Sequence, residues 1–226
     1  MANKGNTRHI KRLASSKYVN VSRKTSKYLA KPNPGRHSAN DSIAITTVIR
    51  EKIGAASNAA EARLILRNGL VQVNGKQVKE EKYPVGFNDV IVLKPDNATY
   101  RITVGRMGTF TIEKIKKAAP RELKVTGKYV NNGNKIMLRL HDGTIIPGNA
   151  EIKVNDTVIV KEGKLDGHIH LEKGAQCLVV KGTHAPEKGT IEAVKEGTAL
   201  RSPTVEIKGS SGAFETLLEN IMATKE

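Results

Sequence analysis

The sequence predicts an α+β chain that is mostly β, and three observations predict it. Two short helical periods and an Asn-Gly hairpin fill residues 42–94. From Tyr100 onward, short alternating or apolar runs recur between tight-turn signals. Ahead of both lies an arm, residues 1–41, whose first 40 residues hold ten basic side chains and no acid.

The arm is rich in Ser, Asn and Lys and poor in large apolar residues. Alone it buries too little surface to offset its chain entropy, so it is expected to order only against a partner. Tyr18 and Tyr28, with Val19 and Val21 between them, are candidate anchors on RNA or on the body of the protein. Pro32-Asn33-Pro34-Gly35 ends the arm in a stiff turn. The net charge of the whole chain is +16. Ten of these charges lie in the first 40 residues, and the last 54 residues are neutral with seven basic and seven acidic side chains. A chain that segregates its positive charge this way is built for a polyanion.

Residues 42–54 read as a helix with Ser42 as its cap and Gly54 as its stop. Ile45, Val48, Ile49 and Lys52 share one face at i, i+3, i+4, i+7 spacing. A second helix spans 58–68, with Asn58 at the cap and Glu61 in capping-box position. Its apolar face is Ala62, Ile65, Leu66 and Gly69, while Arg63 and Arg67 share another face. From spacing alone these two arginines are ordinary solvated cations, and an anionic partner would relieve their repulsion. Asn74-Gly75, between Leu70–Val73 and Lys76–Val78, predicts a type I′ hairpin, and Asp89–Leu93 a further strand.

Later strands are expected at Tyr100–Val104, Lys124–Val130, Lys135–Leu140, Thr157–Val160, His168–Leu171, Gln176–Val180, Thr190–Val194 and Thr204–Ile207. Asn132-Gly133, Asp142-Gly143, Glu162-Gly163, Asp166-Gly167 and Lys188-Gly189 are the turns between them. Such spacing predicts two small β-barrels or sandwiches joined near 172–174. Residues 113–119 read as one helical turn, and Phe214–Met222 as either a helix or a last strand.

Catalytic chemistry finds little support. Asp41, Asp89, Asp96, Asp142 and Asp166 stand beside turns, where Asp serves structure. His168 and His170 share a strand face and, with His141 or His184, form the one candidate metal group. No ligand cluster has zinc spacing, and exposed strand histidines are the better reading. Cys177 is the single cysteine. It excludes an intrachain disulfide, reads as a buried filler, and fits a reducing cytosol. No glycine loop has phosphate-binding spacing, and Gly105-Arg106-Met107-Gly108 reads as a turn. No apolar run approaches the roughly 18 residues that span a bilayer. No cofactor, small-molecule substrate or membrane partner is therefore expected.

Four stretches then resemble one family. His9-Ile10-Lys11-Arg12-Leu13-Ala14, Ser22-Arg23-Lys24 and Lys31-Pro32-Asn33-Pro34-Gly35-Arg36-His37 resemble the N-terminal signature of ribosomal protein S4e. Ala59-Ala60-Glu61-Ala62-Arg63 through Gly69-Leu70-Val71-Gln72-Val73-Asn74-Gly75 resembles the S4-type RNA-binding fold. Lys153-Val154-Asn155-Asp156-Thr157 resembles that family's central β domain. Val179-Val180-Lys181-Gly182-Thr183-His184 with Gly189-Thr190-Ile191 resembles a KOW motif.

The resemblance implies an arm at 1–41, a small α/β S4-type module at 42–94, a central β domain at 95–172 and a KOW-type, SH3-like β-barrel at 173–226. It implies a non-enzymatic constituent of the small ribosomal subunit, of archaeal length and cytoplasmic, that binds ribosomal RNA and neighbouring ribosomal proteins. The RNA-contact residues expected are Lys4, Arg8, Lys11, Arg12, Lys17, Arg23, Lys24, Arg36 and His37 in the arm. In the module they are Arg50, Lys52, Arg63, Arg67, Asn74 and Lys76. An RNA-modifying enzyme that uses the module for delivery, and a free regulatory module with a KOW domain, remain as alternatives. The first lacks a catalytic segment after the module, and the second has no need of the arm.

Overall fold

The computed structural model describes residues 9–94, 97–116, 120–161, 163–210 and 212–225, so Lys4, Arg8 and Asp96 lie outside it. It divides into two compact units. The first comprises residues 1–103 and 109–118, and the second residues 104–108 and 119–226.

In the first unit, β1 (Ile10–Lys11) pairs with β2 (Tyr28–Leu29), and β3 (Ser42–Ala44) pairs with β6 (Pro84–Gly86). A five-stranded sheet has the order β5-β4-β7-β8-β9. Its members are β4 (Val71–Val73), β5 (Lys76–Gln77), β7 (Val90–Leu93), β8 (Ala98–Val104) and β9 (Phe110–Ile115). The hairpin is of type I′ as expected, with φ of 52° at Asn74 and 79° at Gly75.

The first expected helix is corrected at its start. Ser42 is not a cap: it pairs with Gly86, and its hydroxyl donates to Ser38 O at 2.8 Å. Helix α1 spans Ile45–Thr47 and continues as a wider π-helical turn over Val48–Ile53. Gly54 closes it at φ 75°. Ile45, Val48 and Ile49 are fully buried, as their spacing predicts. Helix α2 spans Ala59–Arg67. The Asn58 side chain accepts from the Glu61 N–H at 2.9 Å, but Glu61 reaches back to the N–H and hydroxyl of Ser57. Ala62 and Leu66 turn from this helix into a core that also holds Val71, Val73, Val85, Ile91 and Ile102.

The arm is the larger correction. Its described part is folded onto the first unit, with Val19 and Leu29 in that same core and Tyr18 and Val21 packed against it. Tyr18 therefore anchors to protein. Tyr28 is 49% exposed, with the His9 ring edge-on at 5.1 Å.

The second unit holds two five-stranded antiparallel sheets. One has the order β12-β11-β10-β13-β14, built from β10 (Arg121–Asn131), β11 (Lys135–Leu140), β12 (Ile145–Pro147), β13 (Thr157–Lys161) and β14 (Lys164–Ile169). Its core is Leu123, Val125, Leu138, Leu140, Ile146, Ile152, Val158 and Val160. The other has the order β18-β17-β16-β15-β19, built from β15 (Gln176–Val179), β16 (Lys188–Lys195), β17 (Thr204–Gly209), β18 (Gly212–Leu217) and β19 (Ile221–Ala223). Strands β18 and β19 stand at opposite edges, so among the described residues this sheet does not close into a barrel.

Three local expectations change here. Asp166-Gly167 is not a turn: Ile159 pairs with Gly167 and Val160 with Leu165, which makes Asp166 the extra residue of a bulge inside β14. Residues 113–115 continue β9, and 117–119 lie outside the described residues. Phe214–Met222 resolves into the end of one strand, a 3-10 turn at Leu218–Asn220 and the start of another.

Candidate nucleic-acid interface

Every described residue among the fifteen expected contacts belongs to the first unit. The structure sorts the thirteen described ones into three groups. Lys11, Lys17, Lys24, Arg63, Arg67 and Lys76 are exposed. Arg23 is exposed as well, but its guanidinium donates to Leu13 O at 3.0 Å and bridges back toward Ser15 O. Arg63 Nε donates to Glu81 Oε2 at 2.8 Å, a surface pair that leaves its other donors available to an anion. Arg67 sits one turn further along α2.

The second group turns inward, and its side chains are engaged within the protein. Arg12 is only 3% exposed. It donates to Ser26 Oγ and Ser22 O, each at 2.7 Å, and forks onto both carboxylate oxygens of Glu51. Burial pushes the Glu51 carboxyl up, but hydrogen bonds from Arg12 and Arg50, with their charges, outweigh it and hold the group below its ordinary value. The Arg12 fork thus ties the arm to the π-helical turn. His37 is 5% exposed, and its Nε2 donates to Asp89 Oδ2 at 2.8 Å. Asp89 also accepts from Gly86 N at 2.9 Å and from Asn74 Nδ2 at 2.6 Å. Burial pushes the Asp89 carboxyl up; the hydrogen bond and charge of His37, with Gly86 and Asn74, overcome it and lower it. Asn74 Oδ1 in turn accepts from Val90 N at 2.9 Å. His37 and Asn74 therefore belong to one buried network that fixes the end of the arm and the hairpin turn together.

Arg50 and Lys52 are intermediate. Arg50 donates to Glu51. Lys52 Nζ donates to Asn20 O at 2.8 Å and to Phe110 O at 3.3 Å, and burial lowers its pKa against the opposing charge of Glu51. Arg36 is half-buried.

Sequence reasoning missed Glu51 and Asp89 as the anchors. They lie 39 and 52 residues from their partners, and no local pattern connects such distances. It also missed Lys27, which is exposed with its ammonium 5.4 Å from the Tyr28 ring centre, and Lys82.

The second unit holds no comparable concentration of expected contacts. His168 and His170 face each other with Nε2 atoms 3.0 Å apart, and His170 Nδ1 donates to Asp156 Oδ2 at 2.8 Å. Among the described residues no group of three or more metal-ligating side chains is assembled. Cys177 is buried beside Gly189 O, and burial raises its thiol to about 11, which suits a filler and not a nucleophile. No described helix is long and apolar enough to cross a membrane.

Known proteins match along nearly the whole chain. The S4 domain model matches residues 47–91, and the model of Ribosomal family S4e matches 96–164. Small ribosomal subunit protein eS4 of Methanocella arvoryzae is 36% identical over 211 residues, covering 92% of this chain and 90% of that protein. The chain belongs to the eS4 family. The eS4 protein of Methanosphaera stadtmanae is 33% identical over 221 residues, covering 96% of this chain and 92% of its own. The crystal structure of the 30S ribosomal protein S4e from Thermoplasma acidophilum superposes with a TM-score of 0.68 at 31% identity, covering 81% of this chain and 94% of that one. eS4 is a family of ribosomal structural proteins and not of enzymes. The S4 match falls on α1, α2 and the hairpin, the elements that carry Arg63, Arg67 and Lys76.

Proposed function

We propose that this chain is a structural constituent of the small ribosomal subunit, where it binds and stabilises folded ribosomal RNA and so supports translation. Its place of work is the ribosome in the cytoplasm, beside neighbouring ribosomal proteins, with no cofactor and no small-molecule substrate. The observation that carries this reading is the arm docked on the S4 domain, with exposed cations from both in one unit. Arg12 and His37 hold the scaffold. Lys11, Lys17, Arg23 and Lys24, with Arg36, Arg50, Lys52, Arg63, Arg67 and Lys76, neutralise phosphates and displace counterions. Lys4 and Arg8 extend the same acid-free run. Folded RNA is read mainly through shape and backbone, which arginine forks suit.

The finer organisation is also proposed: an arm to residue 41, an S4-type module to 94, a central β domain to 172 and a KOW-type β domain from 173, whose sheet is open among the described residues. The last rests on the motif around Val179–His184 and on the antiparallel pairing of β15 with β16, whose connecting loop is closed by Val179 N donating to Glu187 O at 3.0 Å.

Deleting the arm would strip Val19, Leu29 and Arg12 from the first unit, so the test keeps the backbone. Replacing Lys11, Lys17 and Lys24 by Gln should leave the melting temperature nearly unchanged. The slope of log K against log salt for small-subunit RNA should fall by about one for each phosphate that is no longer neutralised. An unchanged slope would remove the arm from the RNA interface.

A further inference from the structure

The first unit carries a pocket of about 620 Å³ at the end of the arm, lined among others by Lys31, Pro32, Pro34, Arg36, Ser38 and Lys82. This size is in the range of small-ligand sites, roughly 300–1,000 Å³. Three of its lining side chains are cations, and none is an acid. Two acids close by in the chain are already engaged: Glu80 accepts from Asn33 Nδ2, and Asp41 accepts from the Ser38 hydroxyl at 2.9 Å.

The wall of this pocket is fixed before anything binds. Asn33 N donates to Lys82 O at 2.8 Å, and Asp41 N to Ser38 O at 3.1 Å. His37, directly after Arg36, is locked to Asp89. Gly35 lies so close to Pro84 that a Cβ there would come within 2.9 Å of its ring. A ligand would therefore meet ordered groups, with little chain entropy left to lose. Within this rigid wall Arg36 Nη1 is buried without a hydrogen-bond partner among the described residues. A charged donor left unsatisfied is costly, and a phosphate oxygen is the acceptor that matches a guanidinium best.

We propose that this pocket seats one unstacked nucleotide of the bound RNA, with its phosphate on Arg36, Lys31 and Lys82 and its base against Pro32 and Pro34. The assignment rests on the RNA-binding reading above and names what that reading leaves open, a point of contact with a single nucleotide. A duplex does not enter a concave site of this size. Bases splayed from loops and bulges do, and they are the usual targets of specific RNA recognition.

The test titrates the full-length, ¹⁵N-labelled chain with adenosine 5′-monophosphate, uridine 5′-monophosphate and inorganic phosphate at one ionic strength. Both nucleotides should give saturable shifts at the amides of Gly35, Arg36, Ser38 and Ala39, at concentrations about fivefold below those phosphate needs. Arg36→Met should weaken nucleotide binding by about fivefold or more. Lys82→Ala, a change at an exposed site, should weaken it about two- to threefold without touching the fold. Phosphate acting as well as the nucleotides, or no saturable shift at those amides, overturns the assignment. If the nucleotides fail while salt-dependent binding of small-subunit RNA persists, the pocket falls and the RNA-binding reading stands. Loss of both in the folded wild-type chain would sink that reading as well.

Discussion

The arm and the C-terminal segment are both built from short pieces, yet they are held in opposite ways. Residues 176–223 contribute five strands to one sheet, and its interior is apolar: Val179, Ile191, Val205, Ile207 and Ile221 are all at most 1% exposed. The described arm contributes two strands of two residues and two single 3-10 turns. Its apolar contribution is small, chiefly Val19 and Leu29. What fixes it is buried charge, Arg12 on Glu51 and His37 on Asp89. A segment too polar to fold alone is thus ordered by acids that the body supplies. Cations that read as RNA ligands in the sequence divide into those that hold the arm and those that it presents.

Arg12 is the anchor whose loss should cost the most. Arg12→Met leaves Glu51 and the Ser22 carbonyl without their main donor, so the chain should lose about 3–5 kcal/mol in a urea melt. The arm should become the first site of limited proteolysis. Arg12→Met with Glu51→Met should cost clearly less than the two single changes added together, because no buried charge is then stranded. A loss under about 1 kcal/mol for the single change would mean that Val19 and Leu29 hold the arm instead. Acid should act on the same anchors. Glu51 and Asp89 both titrate below their ordinary values, so their contribution is complete above about pH 5 and fades as the pH falls through the folded-state values. Arm protection against an acid-tolerant protease should be lost in that range.

The second unit has its own buried cation, which sharpens the contrast. Lys124 Nζ donates to the carbonyls of Leu218 at 2.6 Å, Ile221 at 2.9 Å and Glu219 at 3.3 Å, and so ties β10 to the turn between β18 and β19. These partners are neutral carbonyls, where Arg12 has a carboxylate. Burial brings Lys124 down to about 8, with Glu219 opposing and Lys181 adding to the effect. The folded chain then sheds this proton before the unfolded chain does, so stability from this group should rise with pH between about 8 and 10.5, by at most roughly 3 kcal/mol. Chemical denaturation across that window should show a steeper rise in the wild type than in Lys124→Met. Equal slopes would mean that Lys124 does not titrate there.

What the sequence made readable follows from range. Asn58, Glu61, Asn74 and Gly75 act within a few residues of themselves, and the second helix and the hairpin stand where these residues place them. The start of the first helix went wrong because Ser42 has two local roles open to it, and pairing with Gly86, 44 positions away, decides between them. Asp166 misled in the same way, since a bulge and a turn both favour Asp beside Gly and only the partner strand distinguishes them. For the candidate interface, composition located the cations but not their direction. Lys11 and Arg12 are neighbours of equal charge, and only the strand pairing with Tyr28 and Leu29, together with the distant Glu51, turns one out and the other in. The pocket by Arg36 is a product of the same long-range ties.

The smallest expected effect tests whether burial is what makes the arm's polar anchors strong. Asn58 caps α2 with one hydrogen bond of 2.9 Å to Glu61 N, and Asn58 and Glu61 are both exposed. Asn58→Ala leaves that N–H open to water, which replaces most of the lost bond, so the cost should be about 1 kcal/mol. Arg12→Met removes a buried guanidinium and leaves the Glu51 carboxylate, itself largely withdrawn from water, without its fork, so it should cost several times more. The two changes lie in one unit and can be read in the same denaturation experiment, with α2 amide exchange reporting the cap and arm amide exchange reporting the anchor. Equal losses would show that the count of hydrogen bonds, and not their exclusion from water, sets the strength of these contacts. The arm would then be no more firmly held than a helix end.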